Sequence, residues 1–122
     1  MRKISEKDKK TIGNSEYYKH CALASLGGCG GRITIEHAEI YAGKQIDEMW
    51  NYVPICAKHH GVDEYQDVTA VDKSRTRWVA FNQATDEELN KYYKAFPSYV
   101  SERKRLNNLY GNYTPWRAKI YR

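Results

Sequence analysis

Every cysteine and every histidine of this 122-residue chain lies between positions 20 and 60: Cys21, Cys29 and Cys56, with His20, His37, His59 and His60. Thiolate and imidazole together are the donor set that selects zinc. Cys56 and His59 stand two residues apart, a gap that lets both reach one tetrahedral ion. Cys21 and Cys29 have seven residues between them, wider than a usual zinc knuckle. The glycine-rich turn before Cys29 is what would fold the chain back. The expected ligand set is therefore Cys21, Cys29, Cys56 and His59, with His20 as an alternative to Cys21. An odd number of cysteines in a reducing compartment favours free thiols or metal ligands over disulfides.

If His59 serves that ion, His60 does not, because adjacent helical residues project about 100° apart. His60 is then free for a second site. On a continuous helix Glu64 falls four residues on, on the same face, and Asp63 at three residues is the fallback. A histidine and a carboxylate so placed can ligate one divalent ion. Glu36-His37, at the end of an expected strand, is the natural partner for that site. One of the two could bind the ion while the other stands beside the scissile phosphate.

These residues must be held by elements that the pattern suggests only in part. Residues 1–15 read as a charged arm or short helix. Leu26-Gly27-Gly28-Cys29-Gly30-Gly31 is a tight turn, and Arg32 to Glu36 alternates with the strand period, so the two flanks suggest a β-hairpin. Residues 38–50 look irregular around Gly43. Val53-Pro54-Ile55-Cys56 is a short apolar run, and Ala57 to Gln66 is expected to be a helix. Residues 67–82 carry no clear period. Thr85-Asp86-Glu87-Glu88 is a capping-box pattern opening a helix through Leu89, Tyr92, Tyr93 and Phe96. A second helix is expected from about Tyr99 to Tyr110, stopped by Gly111. Trp50, Tyr52 and Ile55 read as core.

The length suits one domain, with 16–66 as its chemical core and 67–122 as a mainly helical basic extension. Twenty Lys and Arg against fifteen Asp and Glu give a net charge of +5, which suits a polyanionic partner. Arg103, Lys104 and Arg105, with Arg117, Lys119 and Arg122 in the tail, are the candidate phosphate contacts. No apolar run is long enough to span a bilayer, and Met1 to Glu6 is charged with no apolar segment behind it. A soluble, intracellular protein with no membrane partner is the expectation.

Taken together, Cys21, Cys29, Glu36-His37, Asn51 and Cys56-Ala57-Lys58-His59-His60 resemble the HNH endonuclease family, with its ββα-metal fold. The resemblance runs from Cys21 to about Glu64, roughly a third of the chain. It implies an α+β protein: a ββα-metal core with a zinc-stapled hairpin, flanked by N-terminal and C-terminal helices. It implies His37 as the general base that activates water, and Asn51 as the residue that orients the loop carrying His37. Glu36 and His60, with Glu64 where colicin-type relatives place a further ligand, would hold one catalytic divalent ion such as Mg²⁺ or Mn²⁺. The expected activity is hydrolysis of DNA phosphodiester bonds. Small stand-alone members are commonly phage-encoded, which implies action in the bacterial cytoplasm. A homodimer would suit double-strand cleavage, although no residue marks its interface. The rival reading is a zinc-stabilised DNA-binding module without catalysis, and a zinc domain for protein interaction is a third. The set Glu36, His37, Asn51 and His60 favours the enzyme, since a binding module has no use for a base beside a second metal site.

Overall fold

The computed structural model describes residues 4–113. The elements are mixed α and β. Helix α1 (Glu6–Gly13) is followed by two short 3₁₀ turns, Glu16–Lys19 and Ala24–Leu26. Then come strands β1 (Ile33–His37), β2 (Ile40–Tyr41), β3 (Lys44–Gln45) and β4 (Tyr52–Cys56). Helix α2 (Ala57–His60) leaves β4 directly, and α3 (Lys73–Gln83), α4 (Asp86–Asn90) and α5 (Tyr99–Tyr110) complete the described chain. Among the described residues no helix is long and apolar enough to cross a membrane.

The strands form two separate two-stranded sheets. Strand β1 pairs antiparallel with β4, setting Thr34 against Ile55, Glu36 against Val53 and His37 against Tyr52. The expectation of a hairpin across the glycine turn is thus corrected. The flank Cys21 to Leu26 lacks strand alternation and folds as a 3₁₀ turn, while Ile33 to Glu36 finds the apolar run after Trp50 instead. The Cys21 flank still touches the sheet, because the Ala22 N–H donates to Pro54 O at 2.7 Å. Between β1 and β4, the stretch that looked irregular contains the small β2–β3 hairpin. Its turn residues Ala42 and Gly43 both have positive φ, 53° and 79°, which matches the twist of a tight two-residue hairpin.

The helices share one hydrophobic core with the strands. Leu23, Trp50, Val53, Ile55, Val79, Phe81, Leu89 and Leu106 are all buried together. Full burial of side chains such as Leu106 or Val79 is worth roughly 1.5–3 kcal/mol each. Trp50 and Ile55 are core, as the sequence suggests, and Tyr52 is buried in an adjoining cluster with Tyr18. The fully buried Gln83 of α3 donates from Nε2 to Trp50 O and Tyr52 O, at 2.9 and 3.0 Å, and so ties α3 to the start of β4. Residues 67–82, unassigned from periodicity, hold α3, started by the Asp72 side chain accepting the Arg75 N–H. The capping box at Thr85 and Glu88 forms, but α4 stops at Asn90, and Phe96 is almost wholly exposed. Helix α5 spans the residues expected and ends at Gly111 in positive φ.

Candidate functional site

The glycine turn, the end of β4 and the single turn of α2 converge on four donors. Cys21, Cys29, Cys56 and His59 place their ligand atoms within 4.8 Å of one another. Nδ1 of His59 lies 3.5 Å from Cys21 Sγ, 3.7 Å from Cys29 Sγ and 3.2 Å from Cys56 Sγ. A tetrahedral ion bound by sulfur and nitrogen at ordinary zinc distances needs S···N separations of about 3.5 Å. The other ring nitrogen, His59 Nε2, faces Gly27 O at 3.1 Å. With its proton donated there, Nδ1 keeps the lone pair that a cation requires, the arrangement usual for metal-binding imidazoles. The turn is held close: Gly31 has φ 76°, and a Cβ on it would come within 2.8 Å of Ala57 Cβ. His20 is not part of the cluster. It is exposed and lies beside Glu16, 3.6 Å from Nε2 to Oε1.

The thiols cannot all ionise beside one another without a cation. Burial pushes Cys21 up to about 12. Cys29 is also raised, first by desolvation and then by Cys56, against the lowering effect of Cys21 and Lys58. Burial opposes ionisation of Cys56 too, but there the N–H groups of His59 and Gly30, with the Cys29 side chain, outweigh it and lower the thiol to about 6. Cys56 caps α2, and its Sγ accepts the His59 N–H at 3.4 Å. One thiolate is favoured and two are penalised, so a metal ion is what would let all three ligate. These four residues can hold a metal.

A second arrangement stands on the neighbouring face. Glu36 of β1 and His60, the last residue of α2, bring Oε2 and Nε2 to 3.6 Å. Thr34 sits two residues before Glu36, on the same face of β1. Its hydroxyl donates to Ile55 O at 2.9 Å, and Oγ1 lies 2.6 Å from His60 Nδ1. Because the hydroxyl proton is spent on Ile55, the contact to His60 requires a proton on Nδ1. Nε2 then carries a lone pair and points it at a carboxylate. Burial lowers the His60 pKa, against the raising effect of Glu36, so a proton is not readily held between them. The cation that faces this carboxylate is the ammonium of Lys73, its Nζ 3.2 Å from the same Oε2.

His37 follows Glu36 and points to the other side of the strand end, its ring edge-on to Tyr52 with centroids 5.1 Å apart. Its Nε2 is buried, with no hydrogen-bond partner among the described residues. Desolvation lowers its pKa, Asp47 and Glu36 raise it, and Lys73 and His60 lower it further, so the ring is neutral near pH 7 and within electrostatic reach of the Glu36–His60 pair. Asn51 is fully buried. Its Oδ1 accepts the Glu39 N–H at 2.8 Å, and its Nδ2 donates to Glu39 O and Ile46 O, each at 3.0 Å. The side chain therefore clamps the loop that leaves His37.

Several expected site residues are placed differently. The helix anticipated from Ala57 to Gln66 ends after one turn, because Gly61 adopts the left-handed conformation and closes it. Glu64 falls in the 3₁₀ turn Asp63–Tyr65, exposed, and forms no cluster with Glu36 and His60 among the described residues. Asp63 is bound to Arg32, with two hydrogen bonds of 2.8 and 3.1 Å. In the basic run, Arg103 pairs with Asp86 and donates to Ala84 O, and Arg105 pairs with Glu102 at 2.9 Å. Lys104 is exposed and makes no such pair among the described residues. Arg117, Lys119 and Arg122 lie outside the described residues. Two site residues escaped the sequence reading. Thr34 was detectable in principle, since β1 puts it on the face of Glu36. Lys73, whose Nζ lies 3.2 Å from Glu36 Oε2, comes from α3 and leaves no local signal.

Comparison with protein-family models, with curated proteins and with solved structures gives no match to this chain.

Proposed function

We propose that this protein is a metal-dependent DNA endonuclease of the HNH type, built on a ββα-metal core. The observation that carries the reading is the Glu36 Oε2–His60 Nε2 pair, 3.6 Å apart and within electrostatic reach of His37, whose Nε2 has no hydrogen-bond partner among the described residues. In this reading β1, β4 and α2 form the core, and zinc occupies the Cys21, Cys29, Cys56 and His59 cluster as a structural ion.

Glu36 and His60 would hold one divalent cation, Mg²⁺ or Mn²⁺. When bound, that cation neutralises charge developing on the phosphate and eases departure of the 3′-oxygen. His37 Nε2 takes a proton from the water that attacks phosphorus, forming the new P–O bond as the P–O3′ bond breaks. Burial keeps His37 in the neutral form that can accept that proton. Asn51 holds the backbone after His37 and so fixes the direction of its ring. Thr34 holds His60 in the tautomer that offers Nε2.

The experiment is plasmid cleavage by purified protein with Mg²⁺ or Mn²⁺, with and without chelator, beside His37→Ala. Metal-dependent nicking or linearisation that His37→Ala abolishes supports the assignment. Equal cutting by both proteins refutes the role of His37. Salt-dependent DNA binding with no cleavage under any metal would instead favour the non-catalytic binding module.

A further inference from the structure

The carboxylate of Glu36 has one neighbour that the reaction above does not use. Lys73 opens α3, and its Nζ lies 3.2 Å from Glu36 Oε2, the same oxygen that faces His60. The Glu36 side chain is 9% exposed, whereas that of Lys73 is 56% exposed. The ammonium therefore reaches into a buried place from solvent, on a flexible stem. Its backbone is fixed, because Asp72 caps the first turn of α3 and the buried Thr76 donates its hydroxyl to Lys73 O at 3.1 Å.

A buried carboxylate needs a counter-charge. His60 does not supply it through Nε2, since the Thr34 contact places the ring proton on Nδ1 and leaves the Nε2 lone pair facing Glu36. Lys73 does, with one positive charge. A divalent ion ligated by Oε2 and Nε2 would bring two. Ammonium and metal compete for one oxygen, and repulsion keeps them from sharing it closely.

We propose that Lys73 is an exchangeable counter-ion at Glu36: the divalent cation displaces its ammonium, which then contacts a non-bridging oxygen of the phosphate held at that ion. This rests on the reading of Glu36 and His60 as the metal pair. It gives Lys73 two effects of opposite sign. The residue weakens metal binding, and it strengthens the hold on substrate in the transition state. A lysine that only stabilises the fold would do neither selectively.

The test uses the full zinc-loaded chain and Mn²⁺, with free Mn²⁺ measured by electron paramagnetic resonance, on wild type, Lys73→Met, Lys73→Arg and Glu36→Gln. Lys73→Met, which keeps the apolar stem, should bind Mn²⁺ roughly three- to tenfold tighter, the exposure of the lysine limiting the gain. It should cut plasmid at least about tenfold more slowly at saturating Mn²⁺. Its melting temperature should fall without Mn²⁺ and recover with it, since the ion replaces the lost counter-charge. Lys73→Arg should retain the weaker Mn²⁺ binding and part of the cleavage. Unchanged or weaker Mn²⁺ binding by Lys73→Met, while Glu36→Gln abolishes binding, overturns the exchange but leaves the metal pair standing. Tighter binding with undiminished cleavage overturns the phosphate contact. If Glu36→Gln binds Mn²⁺ as wild type does, the metal pair itself is wrong, and the exchange falls with it.

Discussion

Replacing Thr34 by valine tests the geometry of the Glu36–His60 pair with little change of volume. Thr34 is 8% exposed, and both side chains are β-branched, so the strand is preserved and no large cavity opens. What is lost is the hydroxyl that donates to Ile55 O at 2.9 Å and meets His60 Nδ1 at 2.6 Å. Leaving a buried donor or acceptor without a partner costs about 1–3 kcal/mol each. The neutral imidazole can avoid its share by moving its proton to Nε2 and donating to Glu36, 3.6 Å away. The expected loss of stability is therefore nearer one unsatisfied group than two, about 1–3 kcal/mol in urea unfolding. The escape has a consequence for metal, because the lone pair that faced Glu36 is consumed. Loss of such an orienting group typically costs 10–100-fold in metal affinity, and Mn²⁺ binding should weaken by about that factor. Nitrogen-15 NMR of the histidine rings reads the tautomer directly, and Thr34→Ser should restore both the wild-type tautomer and the affinity. Thr34→Val with wild-type Mn²⁺ affinity and an unchanged His60 tautomer would refute this reasoning.

Removing metal from the Cys/His cluster by a strong chelator, or by His59→Ala, should lower the melting temperature by more than about 15 °C, with elemental analysis showing the loss of one ion. Cleavage should rise with pH and level off by about neutrality, because burial sets the folded pKa of His37 below its ordinary 6.5; a rise centred well above pH 7 would contradict this. His37 and His60 are both lowered in the folded state, so the unfolded chain binds their protons first. Their contribution to stability is full above the unfolded value and is lost as pH falls through 6.5 towards the folded values, which urea titrations between pH 5 and 8 will show. Asn51→Ala removes three hydrogen bonds from a fully buried position and should destabilise the protein by about 2–4 kcal/mol, with a larger relative loss of cleavage if the loop after His37 is misdirected.

The metal cluster was legible because its signal is chemical and sparse. Three cysteines and one histidine suffice, whatever folds between them, and the long gap from Cys21 to Cys29 is bridged by the 3₁₀ turn and its glycines. The proximity of Glu36 to His60 was likewise expected, although the reason given for Glu64 failed. That reason assumed an uninterrupted helix, and one left-handed glycine, Gly61, removes the periodicity on which it depended. The hairpin was misread because strand pairing is a long-range choice: β1 alternates clearly, but nothing local says that its partner is Tyr52 to Cys56 and not the flank before the turn. Lys73 and the internal pairing of Arg103 and Arg105 were invisible for the same reason, since they depend on where distant helices land. The capping boundaries at Thr85 and Gly111 were readable because caps are decided within a few residues.

Helix α2 is only one turn long, yet it carries both His59 of the Cys/His cluster and His60, which faces Glu36. Such a short helix has almost no torsional stiffness of its own. Side-chain tips on an α-helix lie about 5–6 Å from its axis, so a twist of roughly 10° would carry His60 Nε2 about 1 Å sideways. The turn is held at His60 by Thr34, 2.6 Å from Nδ1, and at His59 by the sulfurs around its Nδ1. In the proposed enzyme the cluster of sulfurs would act as an alignment pin for chemistry that it does not touch. Under the proposed reading, loosening that pin detunes the enzyme before it melts the fold, so sensitivity to chelators would appear first as lost turnover with the secondary structure still intact.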